Sequence, residues 1–439
     1  MAMLQESSTV QEPSTLHDPA QAIDPALAAG KAVASGARRP AKAALDPEQL
    51  TSFHTNGYLV IRNAFDEATL NRFETAARSH PPVDQVVVGK QYPAAGRWTL
   101  ARNAMADPDL AFIMATPEMT EPMRAVLDDD PKIIMFAYYD RTPGGAGLPS
   151  HSDYKRWRPI GSSMRWAFAI VPLCDFDEAA GKLEFVPGSH RVAHSPDPYA
   201  PVWNAERPTP PTEDRFIDPE LKRGDLAIVD MHTWHRAGTN NAAHHRTGLF
   251  TKWCAATQPP ATGWFPFNDE VRRALGPDGE HVLGFSSPLP ITGTSALLER
   301  LRPDGGQVLF LERDGKLVLP AGPAVKEGSI PDWDEGNYIG GLSDALATEV
   351  RTRPTWMSYV GDYPEGDGLS RVYAYRVPPH AWGIHPKGAV WLSAAEAAAR
   401  IDELAQPWAV EAVAVWQRAD MVRGKAVSEA TGRADQYAC

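Results

Sequence analysis

The sequence feature that most constrains the fold is a run of short apolar segments between about residue 130 and residue 256, separated by turns rich in glycine and proline. Their length and their content of β-branched and aromatic residues are typical of strands. Short strands in such a series predict an antiparallel sandwich or barrel. The clearest segments are KIIMFAYYDR, SMRWAFAIVPL, KLEFVPGS, DLAIVDMH and TGLFTKWCA.

Amphipathic helices precede these strands. In DPEQLTSFHTNGYLVIRNAF, Asp46 is a suitable N-cap and Pro47 suits the first helical position. Asn56-Gly57 then predicts the end of that helix, and YLVIR predicts a strand. The segments DEATLNRFETAARS and TPEMTEPMRAVLDDD predict two further helices. The expected first unit is therefore a β-structure decorated by N-terminal helices.

The pattern of elements changes after about residue 258, and predicts a second, smaller α+β unit. QVLFLERDGKLVLP predicts a hairpin that turns at Asp314-Gly315, and an alanine-rich run predicts a long helix from Ser393. The predicted organisation is a flexible tail at 1–45, the β-rich unit at 46–258, a covering segment and linker at 259–303, the α+β unit at 304–425 and a tail at 426–439.

Charge and cysteine content restrict the class of protein. The formal net charge of −12 argues against a general nucleic-acid binder, because phosphate contacts require a basic surface. Three scattered cysteines are too few for a disulfide framework, which suggests a reducing compartment. We find no signal-peptide pattern and no apolar run of spanning length, and expect a cytoplasmic protein without membrane contact. The sequence leaves a homo-oligomer open.

The segment HSDY places His151 and Asp153 at alternate positions just before an apolar run. In an extended chain both side chains point to the same side. Such a pair can share a metal ion or a proton, or can satisfy each other as buried polar groups. By itself the pair does not decide between these roles.

A second histidine and an arginine further along the chain favour a metal site over the other two roles. His235 follows a predicted strand in GDLAIVDMHTWHRAG, and Arg246 begins the next strand. Two neutral imidazoles and one carboxylate on one face of iron leave three positions open, as in non-heme Fe(II) oxygenases. A 2-oxoacid can occupy two of these positions and dioxygen the third. The remote carboxylate of that co-substrate then needs a cation, for which a guanidinium is the better geometric match.

At this point the sequence resembles the phytanoyl-CoA dioxygenase family of Fe(II)- and 2-oxoglutarate-dependent oxygenases. The resemblance runs from about Asp46 to Trp253. It is carried by QLTSFHTNGYLVIRNAFDEATLNRF, HSDY, GKLEFVPGSHR and WHRAGTNNAAHHR, in that order. It implies a mainly β fold, the double-stranded β-helix or jelly roll. It also implies that His151, Asp153 and His235 bind Fe(II) and that Arg246 anchors 2-oxoglutarate.

The co-substrate pocket departs from the family pattern at one position. The family often has a hydroxyl residue two places after the second histidine, where this chain has Ala237. We predict that Thr239, or a tyrosine of AYYDR, supplies the missing hydrogen bond. Arg141 is a candidate second basic contact for the co-substrate, with a surface salt bridge as the alternative. His232 lies three residues before His235, on the opposite face of an extended chain, and is not expected to bind the metal.

The resemblance also implies the type of reaction. Halogenating relatives replace the carboxylate ligand with a small residue, so Asp153 favours hydroxylation or another oxidation of a small-molecule substrate. In YKRWRP, Lys155, Arg156 and Trp157 are candidate substrate contacts. The basic residues suit a carboxylate, a phosphate or a coenzyme A ester. The alternative is a solvated rim without a binding role.

The C-terminal unit resembles a degenerate Nudix-type domain. Gly322 and Glu349 match that family's pattern, but Ser329 stands where a loop glutamate is expected. Too few carboxylates are in register to hold a divalent cation, so we predict a non-hydrolytic unit, either a ligand-binding or dimerisation module or a packing appendage.

Two rival functions remain from the sequence. One is a non-oxidative jelly-roll metal enzyme, against which Arg246 argues because such an enzyme has no need of a 2-oxoglutarate anchor. The other is a binding protein with a vestigial iron site, against which the intact set of ligands argues.

Overall fold

The computed structural model describes residues 45–80, 97–100, 102–152, 166–191, 211–256, 263–264, 267, 269–284, 289–303, 305–324, 337–354, 357–377 and 386–418. The α-helices before the main strands are α1 (Pro47–Asn56), α2 (Glu67–Ser79), α3 (Pro108–Ala115) and α4 (Pro117–Leu127). The predicted tails at 1–45 and 426–439 lie outside the described residues, apart from Leu45.

Helix α1 begins and ends where its sequence predicts. The Asp46 side chain accepts the Gln49 N–H and the Gln49 side chain accepts the Asp46 N–H, a capping box. The helix ends at Gly57, whose φ of 79° suits glycine. A side chain at this position would collide with His190 and Thr233. Gly57 therefore allows the end of α1 to pack closely against the turn that precedes the second site histidine.

Two antiparallel sheets form the first unit. The larger has the order β1-β7-β5-β9-β3-β2 and the smaller has the order β4-β8-β6. The strands are β1 (Tyr58–Ile61), β2 (Arg97–Leu100), β3 (Pro131–Arg141), β4 (Leu148–His151), β5 (Trp166–Pro172), β6 (Leu183–Phe185), β7 (Leu226–Asp230), β8 (His235–Ala237) and β9 (Arg246–Ala255).

The chain alternates between the two sheets. From β3 to β9, each strand of the larger sheet is followed by a strand of the smaller one. This alternation defines a jelly roll, in which strands from distant parts of the sequence become neighbours. The predicted double-stranded β-helix is confirmed for this part of the chain.

The two faces of the larger sheet have different partners. On the outer face, Phe73 of α2 packs against Phe136 and Tyr138 of β3. On the inner face, the ring of Tyr58 stacks on Phe185 of the smaller sheet, with ring centroids 5.0 Å apart. The space between the sheets is thus bounded by inward-facing side chains of β1, β3, β5 and β9.

The second unit is built on a seven-stranded sheet of order β12-β11-β10-β15-β14, with β13 paired to β10 and β16 to β11. Its strands are β10 (Ile291–Arg302), β11 (Gly305–Arg313), β12 (Lys316–Val318), β13 (Ala321–Pro323), β14 (Ser358–Glu365), β15 (Gly368–Arg376) and β16 (Ala389–Leu392). Helices α5 (Asp269–Gly279), α6 (Asn337–Glu349) and α7 (Ala394–Ala399) and a helix over residues 409–418 complete the described part.

Three sequence predictions can be compared with this sheet. The hairpin between β11 and β12 turns at Asp314-Gly315, both with positive φ, as predicted. Strand β10 begins at Ile291, inside the segment predicted as a linker. The long helix predicted from Ser393 is wrong in length, because α7 ends at Ala399. The following residues instead bring Leu404 beside Leu317, so tertiary pairing overrides helix propensity.

The glutamate that suggested a Nudix-type metal site is engaged in an ion pair. Glu349, at the end of α6, contacts the guanidinium of Arg313. Ser329 lies outside the described residues. Within the described part of the chain, no helix combines the length and the hydropathy needed to cross a bilayer.

Candidate functional site

The two predicted histidine ligands lie side by side. His151, the last residue of β4, is the cross-strand neighbour of His235, the first residue of β8. Their imidazole centroids are 4.3 Å apart. Residues that are 84 positions apart in the sequence are therefore brought together by one antiparallel pairing in the smaller sheet.

Backbone carbonyl groups fix the tautomer of both rings. His151 Nδ1 lies 2.7 Å from the Pro149 carbonyl oxygen, and His235 Nδ1 lies 3.0 Å from the Thr233 carbonyl oxygen. A carbonyl oxygen can only accept, so each Nδ1 carries the proton and donates it. Each Nε2 then keeps its lone pair. This is the arrangement that metal-bound histidines use, with the second nitrogen held by an outer acceptor.

His235 faces the space between the sheets. The Phe168 ring lies edge-on to the His235 imidazole at 6.1 Å, and the Phe185 ring lies at 6.4 Å. The next residue, Arg236, pairs with Glu184 of β6 at 2.7 Å and stacks over Phe216. The neighbouring Glu184 raises the Arg236 pKa. The ion pair between Arg236 and Glu184 lies on the face of the smaller sheet opposite to His235. It holds β8 against β6 and so fixes the direction of the His235 side chain.

Arg246 is buried at the start of β9, with 4% of its surface exposed. Its guanidinium carbon lies 3.7 Å from the centroid of the Phe176 ring. Its direct cross-strand neighbour is Arg141, so both side chains leave the same face of the larger sheet. That face also carries Phe168, which contacts His235. The structure therefore places Arg246 and His235 on facing walls of the inter-sheet space.

The remaining candidates for contact with the co-substrate differ in burial and in the face of the sheet on which they lie. Arg141 is 7% exposed and donates to the Gly238 carbonyl oxygen at 2.6 Å, which excludes the surface salt bridge considered as its alternative. Thr239 is exposed, which argues against its predicted role as a contact to a buried co-substrate. Of the two tyrosines in AYYDR, Tyr138 packs outward against Phe73, and Tyr139 lies on the inner face against Phe250. Tyr139 is therefore the better candidate for the missing hydroxyl.

Two titratable groups lie close to Arg246. Burial raises the pKa of the Cys174 thiol, although the nearby Arg246 acts in the opposite direction. His245, next to Arg246 in the sequence, contacts Asp140 at 2.7 Å on the outer face of the same strands. The side chains of Arg141 and Arg246 lie on the inner face, so the sheet separates their guanidinium groups from the Asp140 carboxylate.

Asn240 is a positioning residue that sequence reasoning missed. Its buried side-chain amide donates to the carbonyl oxygens of Arg141 and His244, both at 2.9 Å, and its side-chain oxygen accepts the Ala242 N–H. Its backbone pairs with Gly144 and Gly145. It thus joins the loop after β3 to the loop between β8 and β9. The signal in the sequence is the Asn-Asn pair of GTNNAAHH, since asparagine favours turns.

We predict that Asn240→Ala lowers both thermal stability and 2-oxoglutarate affinity. The substitution leaves buried carbonyl groups without their donor, at a cost of about 1–3 kcal/mol, and frees the segment that sets Arg246. Thermal unfolding and a 2-oxoglutarate titration measure the two effects. Asn241→Ala is the matched control, because Asn241 is exposed and uses its backbone N–H. Equal behaviour of the two variants would contradict the positioning role.

Four predicted site residues fall outside the described residues: Asp153, Lys155, Arg156 and Trp157. Among the described residues, no group of three histidine, cysteine or carboxylate side chains is suited to hold a metal ion. The pair formed by His151 and His235 nevertheless suits a borderline divalent metal, because a backbone carbonyl oxygen holds Nδ1 of each imidazole and so orients its Nε2 atom.

Comparison with known proteins finds similarity over the first unit of the chain. The sequence profile of the phytanoyl-CoA dioxygenase family matches residues 53–248. The curated protein "Dioxygenase af480" of Aspergillus fumigatus is 22% identical over 178 residues, covering 40% of this chain and 54% of that protein. An "Ectoine dioxygenase" of Bordetella parapertussis is 23% identical over 257 residues, covering 52% and 82%. The crystal structure of EctD from S. alaskensis in its apoform has a TM-score of 0.42 and 18% identity, covering 52% of this chain and 84% of that one.

These matches cover part of this chain and part of the relatives. The chain spans about half the length of the first curated relatives it matches, 54% and 48%. Two of these relatives are named as dioxygenases. More particularly, residues 53–248 match the phytanoyl-CoA dioxygenase family, as the sequence motifs predict.

Proposed function

We propose that this protein is an Fe(II)- and 2-oxoglutarate-dependent dioxygenase that hydroxylates a small molecule and releases succinate and CO₂. The observation that carries the proposal is the pair of imidazoles of His151 and His235. Their rings lie 4.3 Å apart with both Nδ1 atoms directed at backbone carbonyl oxygens. Arg246, buried on the facing wall, supports the same function.

Each residue has a defined role in this proposal. His151 and His235 would bind Fe(II) through Nε2, and Asp153 would supply the carboxylate. The bound iron and 2-oxoglutarate supply the oxidising chemistry that removes hydrogen from the substrate. Arg246 would hold the remote carboxylate of 2-oxoglutarate with its planar fork of donors, and the stacked Phe176 ring would keep the guanidinium in one orientation. Phe168 and Phe185 would exclude water from the reacting atoms.

The substrate is proposed more broadly. One relative, the ectoine dioxygenase, is named for a small molecule. Lys155, Arg156 and Trp157 remain proposed substrate contacts, suited to a carboxylate, phosphate or coenzyme A ester. A cytoplasmic location also remains a proposal, supported by the low cysteine content.

The proposal predicts a visible charge-transfer band when purified protein receives Fe(II) and 2-oxoglutarate without oxygen, because the 2-oxoacid chelates the iron. Admission of oxygen should then release succinate. Absorption spectroscopy and succinate analysis measure the two results. A chelator added before the iron should remove both, since the histidines contribute only through the metal.

The rival functions give different results in the same experiment. A non-oxidative metal enzyme binds the metal but gives no band that depends on 2-oxoglutarate. A binding protein with a vestigial site gives neither band nor succinate. Either result, obtained with folded protein, would contradict the proposed function.

For the C-terminal unit we propose a non-hydrolytic role, as a ligand-binding or dimerisation module. The ion pair between Glu349 and Arg313 supports this, because it occupies the carboxylate that a Nudix-type metal site would need.

A further inference from the structure

The turn before His235 is held by a residue far away in the sequence. Thr233 lies in this turn, between β7 and β8, and its side chain is completely buried. Its hydroxyl donates to the Gly57 carbonyl oxygen at the end of α1, at 2.8 Å. Its own carbonyl oxygen accepts the hydrogen bond from His235 Nδ1, at 3.0 Å. One residue therefore connects the end of α1 to an imidazole proposed to bind the metal.

A second connection holds the residue between Thr233 and His235. The Trp234 N–H donates to the buried Ser189 Oγ at 2.9 Å, and the Trp234 carbonyl oxygen accepts the Val186 N–H at the same distance. Ser189 Oγ in turn donates to the Val186 carbonyl oxygen at 2.7 Å. The segment that follows β6, residues 186–191, thus fixes the backbone of Trp234 through both its N–H and its carbonyl group.

Neither hydroxyl is required merely to satisfy a buried carbonyl group. The Gly57 carbonyl oxygen also accepts the Asp230 N–H at 2.8 Å, and the Val186 carbonyl oxygen also accepts the Ser189 N–H at 3.3 Å. Both acceptors would therefore keep a partner without the hydroxyl groups. What the hydroxyl groups add is the position of the turn relative to α1 and to the segment after β6.

The acceptor for His151 is held in a different way. The Pro149 carbonyl oxygen belongs to β4 itself, two residues before the histidine. The acceptor for His235 lies in a turn, whose hydroxyl contacts join residues 176 and 45 positions apart in the sequence. A turn shifts more easily than a paired strand. The direction of the His235 imidazole therefore depends on these distant contacts.

We infer that Thr233 and Ser189 are positioning residues for the metal site, because they fix the acceptor of His235 Nδ1 and thereby the direction of Nε2. This inference rests on the proposed function, since both residues act through a proposed metal ligand. The outer partner of a metal-bound histidine sets its tautomer and orientation, and its loss typically lowers metal affinity about 10–100-fold. Here the outer partner is a backbone carbonyl oxygen, so a substitution can act only on the side chains that place it.

Metal affinity measured without co-substrate tests the inference. Fe(II) is titrated under anoxia into the parent protein, Thr233→Val, Thr233→Ser and Ser189→Ala, and a thermal melt of each metal-free protein is recorded. Valine places a methyl group where the hydroxyl met the Gly57 carbonyl oxygen, so the turn has to move. Thr233→Val should bind Fe(II) about 10-fold or more weakly than the parent. Thr233→Ser keeps the hydroxyl and should recover most of the affinity. Ser189→Ala should also weaken binding, because the Trp234 N–H loses its acceptor.

Thr251→Val separates positioning from stability. Thr251 is also completely buried, and its hydroxyl accepts the Trp253 Nε1–H at 2.7 Å. It is the cross-strand neighbour of Phe136, which packs against Phe73 of α2, so it lies on the outer face of the larger sheet. Thr251→Val should therefore unfold at a lower temperature and keep the parent affinity for Fe(II).

The possible results distinguish this inference from the proposed function. If Thr233→Val binds Fe(II) as the parent does, or if Thr251→Val loses as much affinity as Thr233→Val, the inference is wrong and the proposed function stands. Should Thr233→Val not fold, Ser189→Ala is judged by the same two criteria. If the folded parent protein does not bind Fe(II), the proposed function fails, and this inference fails with it.

Discussion

Replacement of His235 by alanine should abolish the visible band formed with Fe(II) and 2-oxoglutarate, and with it the release of succinate. The substitution removes one of the two imidazoles that meet at 4.3 Å and leaves the metal with too few ligands from the protein. Loss of an outer partner of a metal-bound histidine already costs about 10–100-fold in affinity or activity, so loss of the ligand itself should exceed this range. Absorption spectroscopy under anoxia and succinate analysis after aeration measure the effect.

His232→Ala is the matched control for this experiment. His232 lies three residues before His235, and its Nδ1 contacts the carboxylate of Asp230 at 3.1 Å. The sequence suggests that it points away from the metal site, and it should therefore keep the band and the succinate. If His232→Ala loses both while His235→Ala keeps them, the assignment of the metal ligand is reversed. If neither variant changes either property, the pair of histidines is not a metal site.

The local patterns of the sequence predict much of the fold because they depend on near neighbours. The capping residue Asp46, the end of α1 at Gly57 and the turn at Asp314-Gly315 all follow from local chemistry. The expectation that His151 and Asp153 share one side of the chain is equally local, and Asp153 lies outside the described residues. The order of strands is not, since it depends on contacts between segments far apart in the chain. The family resemblance, and not periodicity, implied the jelly roll.

The positions that the sequence did not predict depend on tertiary contacts. The length of α7 is limited by the pairing of Leu404 with Leu317, which an alanine-rich pattern cannot indicate. Thr239 was selected for its hydroxyl group, yet the loop held by Asn240 leaves it exposed. Lys252 has a local signal, a single charge in the apolar segment TGLFTKWCA. Its position opposite Phe168 follows only from the register of β5 against β9.

The two buried arginines are a further case in which the sequence did not indicate a tertiary contact. The sequence proposed Arg246 as the anchor and left Arg141 between a co-substrate contact and a surface salt bridge. The register makes them direct neighbours on the inner face of one sheet. Like charges placed opposite each other repel, which is unfavourable in a structural pair. A dianionic co-substrate between the sheets would offset that repulsion, in keeping with the proposed role of Arg246 as its anchor.

Replacement of Arg246 by methionine should weaken 2-oxoglutarate binding by roughly 10²- to 10³-fold, because a charge-assisted bidentate contact to a carboxylate is lost. Arg246→Lys should recover only part of this loss, since an ammonium group cannot reproduce the planar fork. Methionine retains apolar contact with the Phe176 ring, which lies 3.7 Å from the guanidinium carbon. Thermal unfolding of Arg246→Met should therefore stay close to that of the parent protein. The measurements are a 2-oxoglutarate titration under anoxia and a thermal melt.

The two readouts separate binding from structure. An arginine that serves the fold alone would, on replacement, lower the melting temperature and leave the 2-oxoglutarate affinity of the remaining folded protein unchanged. An arginine that anchors the co-substrate gives the opposite pattern. Metal binding provides a further check, because the proposed ligands His151 and His235 do not depend on Arg246 and should retain their affinity for the metal. Parent-like 2-oxoglutarate affinity in Arg246→Met would show that the buried guanidinium is not the anchor. The co-substrate would then have to bind elsewhere on the inner face, with Arg141 as the next candidate.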